Sequence, residues 1–328
     1  MIAAVAGAGS WGTALACLLA RRGDVVLWGR DAETMDKLQA DRENARYLPG
    51  IRFPDSLRVT ADLGEAADCG DVVLAVPTRA HAQVAQALVA CRRPAHVLSA
   101  AKGYEPGTGL RMSETLRREL GEETPVTVLA GPSHAEEVAQ GIPTTVVVAS
   151  LSDDAAVFWQ SALMQPTFRV YTNSDLVGVE TAAALKNVIA IAAGICDGLG
   201  FGDNTKGALL TRGLTEIARL GEAMGARPET FAGLAGLGDL VTTCMSRHSR
   251  NRRVGELVGR GRTTEEAQAE TGMVAEGVQT TRSALEIAAG VNVELPITEQ
   301  VGRVLFDGRG PREALEELMG RDAKAEVR

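Results

Sequence analysis

Short apolar runs alternate with helical patterns through the first half of the chain. Several of the runs are near-continuous Val, Ile, Leu and Ala, which is typical of parallel strands buried on both faces of a sheet. The predicted strands are Ile2–Ala6, Asp24–Trp28, Asp71–Val76, His96–Ala100, Val126–Ala130, Thr144–Ala149 and Phe168–Tyr171. The segments compatible with helices are Thr13–Arg22, Ala32–Asp41, Ala80–Ala90, Ser113–Leu120 and Asp153–Leu163. This alternation predicts an α/β fold with a doubly wound parallel sheet.

After about residue 175 the pattern changes to long helical segments with few strand-like runs. Proline near the first helical position and glycine near the ends mark several boundaries. The predicted helices are Leu176–Gly198, Lys206–Met224, Leu240–Ser246, Arg252–Gly259, Thr264–Thr271, Gly277–Ala289, Ile297–Phe306 and Pro311–Met319. We therefore predict an α/β domain over residues 1–175 and an all-α domain over residues 176–328.

Length and composition agree with two globular domains. A chain of 328 residues, at about 150 residues per domain, is long enough for two cores. A hydrophobic fraction of 45% excludes a disordered chain, and a net charge of −8 argues against a general nucleic-acid binder. Five scattered cysteines and four dispersed histidines indicate reduced thiols, with neither a disulfide framework nor a metal site. Reduced thiols also predict a cytoplasmic protein.

The N-terminal stretch is apolar, so a signal peptide has to be considered. No Lys or Arg precedes Arg21, and glycines interrupt the run, which favours a strand, a turn and a helix start instead. The nearest other apolar stretch, Ala182–Ile195, contains Lys186 and Asn187. We predict no membrane span.

The first predicted strand leads directly into the sequence GAGSWG at residues 7–12, which opens the first predicted helix. Gly7 permits a tight turn, Gly9 allows the backbone to approach a pyrophosphate, and Gly12 lets helix and strand pack closely. Free N–H groups and the helix dipole at the helix start then hold the phosphates. In its strand–turn–helix–strand context the motif predicts dinucleotide binding rather than an ordinary turn.

The end of the second predicted strand bears on which dinucleotide is bound. A strict NAD site places an acidic residue about 20 residues after the glycines, on the ribose 2′-hydroxyl. Here Arg30 occupies or adjoins that position and could pair with a 2′-phosphate, whereas Asp31 could serve the hydroxyl. The alternative is that Arg30 stacks on adenine or faces solvent. The pattern favours NADP, or use of both cofactors.

Two predicted strands are followed by polar residues, at the edge where open α/β sheets bind ligands. Lys102 follows one strand and either meets an anionic substrate or lies in a solvated loop. A turn that contains Ser133 follows the other, and it either binds substrate or nicotinamide or caps a helix. His134 invites a general-base role, but the sequence shows no partner for it.

Further candidate chemistry lies in the helical half. Lys186 stands in an otherwise apolar helix, where desolvation would lower its pKa toward the range useful for proton transfer, unless the side chain extends to the helix rim. Asp239, in the sequence GLGDL, is either part of a site or an N-cap. Arg250 and Asn251 begin a cationic segment suited to phosphate oxygens, with a solvated helix face or a nucleic-acid patch as alternatives.

In order and spacing, these motifs resemble the NAD(P)-dependent glycerol-3-phosphate dehydrogenase family of bacteria. The matching elements are GAGSWGTA at 7–14, KG at 102–103, GPS at 131–133, ALKN at 184–187, GDL at 238–240, RN at 250–251 and VAEG at 274–277. The resemblance implies a Rossmann domain followed by an α-helical domain, usually in a homodimer. It also implies reversible hydride transfer between dihydroxyacetone phosphate and sn-glycerol 3-phosphate, which feeds phospholipid synthesis.

The resemblance further implies roles for individual residues. Lys186 resembles the catalytic lysine that exchanges the proton on the C2 oxygen, while Lys102 and Asp239 resemble groups that position substrate and complete the charge network. The implied substrate contacts are Lys102, Gly131, Ser133, Lys186, Asp239, Ser249, Arg250 and Asn251. The implied cofactor contacts are Gly7, Gly9, Ser10, Trp11, Gly12, Arg30, Lys102, Ala135, Arg250, Val274 and Glu276.

Two other functions stay open from the sequence. A two-domain hydroxy-acid dehydrogenase, of the 3-hydroxyisobutyrate or ketopantoate type, would bind a carboxylate instead of a phosphate. A dinucleotide-sensing module would bind cofactor without turnover and would need no proton donor such as Lys186.

Overall fold

A computed structural model describes residues 3–272 and 275–322. Its N-terminal part has the predicted α/β architecture, built on ten strands of which eight form one sheet. The strands are β1 (Ala3–Ala6), β2 (Val25–Trp28), β3 (Glu43–Asn44), β4 (Leu48–Arg52), β5 (Leu57–Thr60), β6 (Asp71–Leu74), β7 (His96–Ser99), β8 (Val126–Ala130), β9 (Thr144–Ser150) and β10 (Phe168–Asn173). β3 and β4 form a separate antiparallel pair.

Helices cover the sheet, which explains why its central strands are mostly apolar. These helices are α1 (Ser10–Ala20), α2 (Ala32–Asp41), α3 (Leu63–Asp68), α4 (His81–Cys91), α5 (Met112–Leu120), α6 (Ala135–Ala139) and α7 (Asp153–Leu163). Along β1, Val5 packs into the core on one face, whereas Ala4 and Ala6 pack into the core on the other.

The sheet order is β10-β9-β8-β7-β6-β1-β2-β5. The strands from β5 to β8 in this order are parallel, as a doubly wound sheet requires. A fully parallel sheet is nevertheless wrong for one pair, because β9 runs antiparallel to β8. The connecting segment 131–143 contains only the five-residue α6, so β9 starts at the edge where β8 ends. β10 is parallel to β9, and the two form the reversed end of the sheet.

The predicted strands and helices lie within three residues of observed ones, and several short elements were missed. The missed edge strand β5 alternates buried and exposed residues, with Arg58 exposed between Leu57 and Val59. An edge strand buried on one face does not give the continuous apolar run that marks the central strands.

From residue 176 to 322, the described chain consists of helices and their connections. The helices are α8 (Leu176–Gly198), α9 (Asp203–Ala223), α10 (Pro228–Phe231), α11 (Asp239–Met245), α12 (Arg250–Gly259), α13 (Thr264–Thr271), α14 (Glu276–Gly290), α15 (Pro296–Phe306) and α16 (Pro311–Met319). A π-helical turn, Leu234–Gly238, leads into α11.

The central helix of this half is α8. Its 23 residues are apolar enough to cross a membrane by length and composition, yet 94% of the apolar window is buried inside the protein, as in a core helix. Helix α12 crosses α8 at backbone contact: a Cβ on Gly194 would lie 1.9 Å from the Arg252 carbonyl oxygen, and one on Gly255 would lie 2.0 Å from that of Ile191. This close crossing brings the first turn of α12 to the same region as Lys186 in α8.

Candidate active site

A cavity of about 160 Å³ lies between the carboxyl edge of the sheet and the helical half. The residues predicted from sequence that line it are Ser10, Trp11, Lys102, Ser133, Ala135, Lys186, Asp239, Ser249, Arg250, Asn251 and Glu276. The cavity therefore joins the start of α1 to side chains from several helices of the second half.

The centre of the cavity is a carboxylate shared by two lysines. Lys186 Nζ lies 2.7 Å from Asp239 Oδ1, and Lys102 Nζ lies 2.8 Å from Asp239 Oδ2. Lys186 also donates to the Thr243 hydroxyl at 2.6 Å. The Lys186 side chain is 6% exposed, so it does not extend to the helix rim. Asp239 is the first residue of α11 rather than its N-cap, which leaves its carboxylate for the two ammonium groups.

Burial and charge act in opposite directions on these groups. Burial lowers the pKa of Lys186 to about 8, although the Asp239 carboxylate opposes the shift. For Asp239, burial alone would raise the pKa, but the Lys102 and Lys186 ammonium groups outweigh it and hold the pKa below its usual value. The cluster therefore contains a lysine that can give up or take a proton near neutral pH, beside a carboxylate that stays ionised.

The turn after β8 faces the same cluster. Lys102 Nζ donates to the Gly131 carbonyl oxygen at 3.0 Å and lies 3.5 Å from the Ser133 hydroxyl. Ser133 donates to the Gly131 carbonyl at 2.9 Å instead of capping α6, whose N-cap is His134. Burial lowers the pKa of His134, and its Nε2 has no hydrogen-bond partner among the described residues. Ser133 and His134 therefore both line the cavity, and Lys102 connects Ser133 to Asp239.

The first turn of α12 forms the opposite wall. Ser249 is its N-cap, and the hydroxyl accepts from the Arg252 N–H at 3.3 Å. Asn251 is buried, and its side-chain oxygen accepts from the Gly277 N–H at 2.9 Å. Arg250 is exposed and makes no ion pair with the described residues. A helix N-terminus with a free guanidinium suits an anionic group such as a phosphate.

The glycine motif has the geometry that a dinucleotide needs. Gly7 has a φ of +122°, and a Cβ there would meet the Ala75 backbone at 2.7 Å, while a Cβ on Gly12 would meet the Gly7 carbonyl at 1.8 Å. A Cβ on Gly9, by contrast, would have nothing within 4 Å. Since no side chain caps the start of α1, its first N–H groups face this open space and fit a pyrophosphate.

The two candidates for contact with the cofactor ribose, Arg30 and Asp31, directly follow β2 and the glycine after it. Arg30 is exposed just beyond β2, and the Asp31 carboxylate accepts from the Thr34 N–H as the N-cap of α2. Because one oxygen of Asp31 already caps a helix, Arg30 is the freer of the two for contact with a cofactor.

Some predicted contacts lie away from the cavity wall. Gly7, Gly9, Gly12 and Arg30 belong to the dinucleotide end, and Gly131 contributes only the carbonyl bonded to Lys102. Val274 lies outside the described residues.

Several cavity residues were not predicted as site residues. They are Ala100, His134, Glu136, Asn187, Thr243 and His248. Three of them had a sequence signal: His134 invited a general-base role, Asn187 belongs to the ALKN element, and Thr243 is one helical turn after Asp239. His248 comes from the connection between α11 and α12, and nothing in its local sequence indicates a site.

Comparisons with known proteins bear on what this site does. Residues 2–156 match the family model described as NAD-dependent glycerol-3-phosphate dehydrogenase N-terminus, and residues 175–316 match the corresponding C-terminus. The glycerol-3-phosphate dehydrogenase [NAD(P)+] of Desulfitobacterium hafniense is 52% identical over 99% of this chain and 92% of its own length. That of Geobacillus thermodenitrificans is 52% identical over 98% and 96%.

A solved structure agrees with these sequence matches. The crystal structure of a glycerol-3-phosphate dehydrogenase from Coxiella burnetii superimposes with a TM-score of 0.94 at 40% identity. The similarity covers 98% of this chain and 99% of the Coxiella chain, so it includes both halves of the fold.

Proposed function

The chain belongs to the NAD-dependent glycerol-3-phosphate dehydrogenase family, and we propose that it carries out this family's reaction at the Lys102–Asp239–Lys186 cluster. It is an NAD(P)-dependent oxidoreductase that interconverts dihydroxyacetone phosphate and sn-glycerol 3-phosphate. The observation that carries the assignment of the site is the buried Asp239 carboxylate, which both lysines contact in a cavity beside the glycine motif.

When bound, the nicotinamide supplies the hydride that reduces C2, or takes it up in the reverse direction. Negative charge then develops on the C2 oxygen, and Lys186 stabilises it and donates a proton. Lys102 orients the substrate and, like Lys186, forms an ion pair with the Asp239 carboxylate. In the reverse direction, neutral Lys186 accepts the proton from the C2 hydroxyl. Asp239 stays ionised throughout and keeps both amino groups directed at the cavity.

We assign the substrate's phosphate to the first turn of α12, where Arg250 is the free cation. Replacing Arg250 with Ala is expected to raise the KM for dihydroxyacetone phosphate by roughly 10- to 100-fold, because a charge-assisted hydrogen bond contributes about 1.5–3 kcal/mol. Initial rates measured against substrate concentration check this prediction.

Two controls accompany the Arg250→Ala measurement. Arg253→Ala also removes a cation from α12, but Arg253 pairs with Glu256 and Glu270 and does not line the cavity, so its KM should match that of the wild type. With dihydroxyacetone, which lacks the phosphate, Arg250→Ala and the wild type should have the same KM. An unchanged KM for the phosphorylated substrate would move the phosphate site elsewhere.

The two directions of the reaction are expected to depend on pH in opposite ways. Reduction needs protonated Lys186, so its rate should be level at low pH and fall as the pH rises through about 8, the pKa that burial gives this lysine. Oxidation needs the neutral amine, so its rate should rise through the same pH. Profiles of kcat in both directions test this; profiles that move together would exclude Lys186 as the proton donor and acceptor.

The direct test of the function is oxidation of NADH and NADPH by dihydroxyacetone phosphate, followed by nicotinamide absorbance in parallel assays. The family relatives use NAD(P)+, and the exposed Arg30 beyond β2 leads us to propose that NADPH is the better substrate. Oxidation of neither cofactor, with cofactor binding confirmed separately, would contradict the function. A preference for NADH would contradict only the role of Arg30.

Further features of the enzyme are also proposals. We assign dinucleotide binding to residues 1–175 and substrate binding and catalysis to residues 176–328, with Lys102 as the main exception. A homodimer in the cytoplasm that supplies phospholipid synthesis accords with the family. The hydroxy-acid and sensor alternatives have less support, because both family models and a site with two lysines and a free arginine favour a phosphorylated substrate with turnover.

A further inference from the structure

Glu180 is a buried carboxylate in α8 that the reaction described above does not use. It is 7% exposed, and it accepts hydrogen bonds from residues of the α/β half. The Ser113 N–H donates to it at 2.8 Å, the Ser113 hydroxyl at 2.5 Å and the Arg111 guanidinium at 3.2 Å. Burial raises the pKa of Glu180, while Arg111 and Ser113 oppose that shift. Glu180 thus binds the start of α5 to the helix that carries Lys186.

Arg111 closes the loop that begins at Lys102. Its backbone pairs with that of Tyr104 in an antiparallel bridge, and inside the loop the Glu105 N–H donates to the Leu110 carbonyl at 2.8 Å. Tyr104 is 2% exposed and packs into the core around α8. Backbone pairing therefore ties Arg111 to Tyr104, which is buried and lies two residues from Lys102.

Helix α8 holds this loop at a second place. The Asn187 side chain donates to the Lys102 carbonyl oxygen at 3.2 Å. Glu180 and Asn187 are seven residues apart, which is about two helical turns, so they share a face of α8. Lys186 directly precedes Asn187. Helix α8 consequently carries Lys186 and, through Glu180 and Asn187, is hydrogen-bonded to the loop that carries Lys102.

We propose that Glu180, paired with Arg111, is a positioning residue that sets where the Lys102 ammonium group lies relative to Lys186 around Asp239. The inference rests on the function proposed above, because it has a kinetic consequence only if these lysines act on the substrate. Removing the negative charge of Glu180 leaves Arg111 with Glu114 as its remaining carboxylate partner. The loop then relaxes and Lys102 moves off Asp239.

A displaced Lys102 would change how Lys186 titrates. The groups that act on Lys186 are Asp239 and Cys244 in α11, Lys102 in the loop, and the nearby His134. Of these, Lys102 lowers the pKa of Lys186, and Asp239 raises it. Moving Lys102 away removes the first effect and leaves the Asp239 carboxylate to Lys186 alone. Both changes raise the pKa of Lys186.

The test is Glu180→Gln in the full chain, with kcat and both KM values measured across pH in the reductive direction. We expect kcat to fall at least about tenfold and the KM for NADPH to stay within about twofold, because misplacing a catalytic group by an ångström costs rate rather than cofactor binding. We also expect the midpoint of the kcat profile to move to higher pH. Wild-type kcat together with a wild-type midpoint would overturn the proposal.

Glu216→Gln is the matched control. Glu216 is also a buried glutamate, in α9, and it accepts from the Ile297 and Thr298 N–H groups at the start of α15, away from Lys102. It should lose stability while its kcat and pH midpoint match those of the wild type. A midpoint that moves in both variants would show a general effect of weakened packing and would overturn the proposal.

Ser113→Ala removes only the hydroxyl donor, and it decides the question if Glu180→Gln does not fold. Ser113→Ala should move the midpoint of the kcat profile to higher pH, by less than Glu180→Gln does. A midpoint equal to that of the wild type would overturn the proposal. Failure of the proposed function is distinguishable, because it would show as absent turnover in the wild type or as full turnover without Lys186.

Discussion

Replacing Lys186 with Ala is expected to reduce turnover by at least about a thousandfold, since positioned proton transfer contributes about 10²–10⁴ and the ammonium group also stabilises charge on the C2 oxygen. The lysine is buried and bonded to Asp239 and Thr243, so solvent does not replace it readily. Cofactor binding should persist, because the glycine motif at the start of α1 is untouched. Turnover with dihydroxyacetone phosphate and a fluorescence titration with NADPH measure the two effects.

Lys206→Ala is the control for Lys186→Ala. Lys206 is also largely buried and paired with a carboxylate, at 2.5 Å from Asp197, but it does not line the cavity. We expect it to retain most of the wild-type turnover. Near-normal turnover in Lys186→Ala would remove this residue from its catalytic role, and comparable losses in both variants would indicate a general loss of folded protein.

Replacing Asp239 with Asn should lower both turnover and stability. The substitution preserves shape but leaves two ammonium groups without their carboxylate, and breaking a buried pair costs about 3–5 kcal/mol. The expected loss of turnover is at least about a hundredfold, because neither lysine is then held in place. Denaturant unfolding gives the stability change and initial rates give the loss of turnover.

The stability loss in Asp239→Asn should depend on pH. Without Asp239, the pKa of buried Lys186 in the folded state falls further below its value in the unfolded chain, so folding requires loss of a proton from Lys186. The sign follows: relative to the wild type, the variant is penalised most below the folded-state pKa of Lys186, where the wild type keeps this lysine charged beside Asp239, and the penalty shrinks as the pH rises past that pKa. Unfolding measured at about pH 6 and about pH 9 tests this, on either side of the range in which the folded lysine titrates.

Asp197→Asn is the matched control for Asp239→Asn. Asp197 also bridges two cations, Lys206 at 2.5 Å and Arg252 at 2.6 Å, outside the cavity. It should lose stability while retaining most of its turnover. A fully active Asp239→Asn enzyme would contradict the role given to the shared carboxylate.

Much of the fold follows from local pattern. The helix Leu176–Gly198 was predicted with its observed bounds, because an apolar run of this length has few alternatives once it is too long for a strand. The dinucleotide end was likewise predictable, since a glycine motif between strand and helix requires close backbone approach at defined spacings.

The site itself could be predicted only in part. The motifs identified Lys102, Lys186 and Asp239 separately, but the local sequence around each residue also fits a place outside any site: a solvated loop, a helix rim and an N-cap, respectively. Asn187 and Thr243 were missed as site residues because a polar side chain in a helix shows its partner only after packing. His248 and Glu136 gave no signal, since they enter the cavity from an exposed connection and a short helix.

The sequence by itself determined the strand–helix alternation, the helical second half, the dinucleotide motif and the family. Tertiary structure alone decided that β9 and β10 are antiparallel to the rest of the sheet, and that Glu180 is hydrogen-bonded to Arg111 at the end of the Lys102 loop. It also decided that Lys102 and Lys186, 137 and 53 residues from Asp239, share its carboxylate. The reason is physical. The spacing of apolar residues indicates which face of a helix or strand is buried. Which element packs against that face, and in which direction it runs, depends on packing between segments that are distant in the sequence.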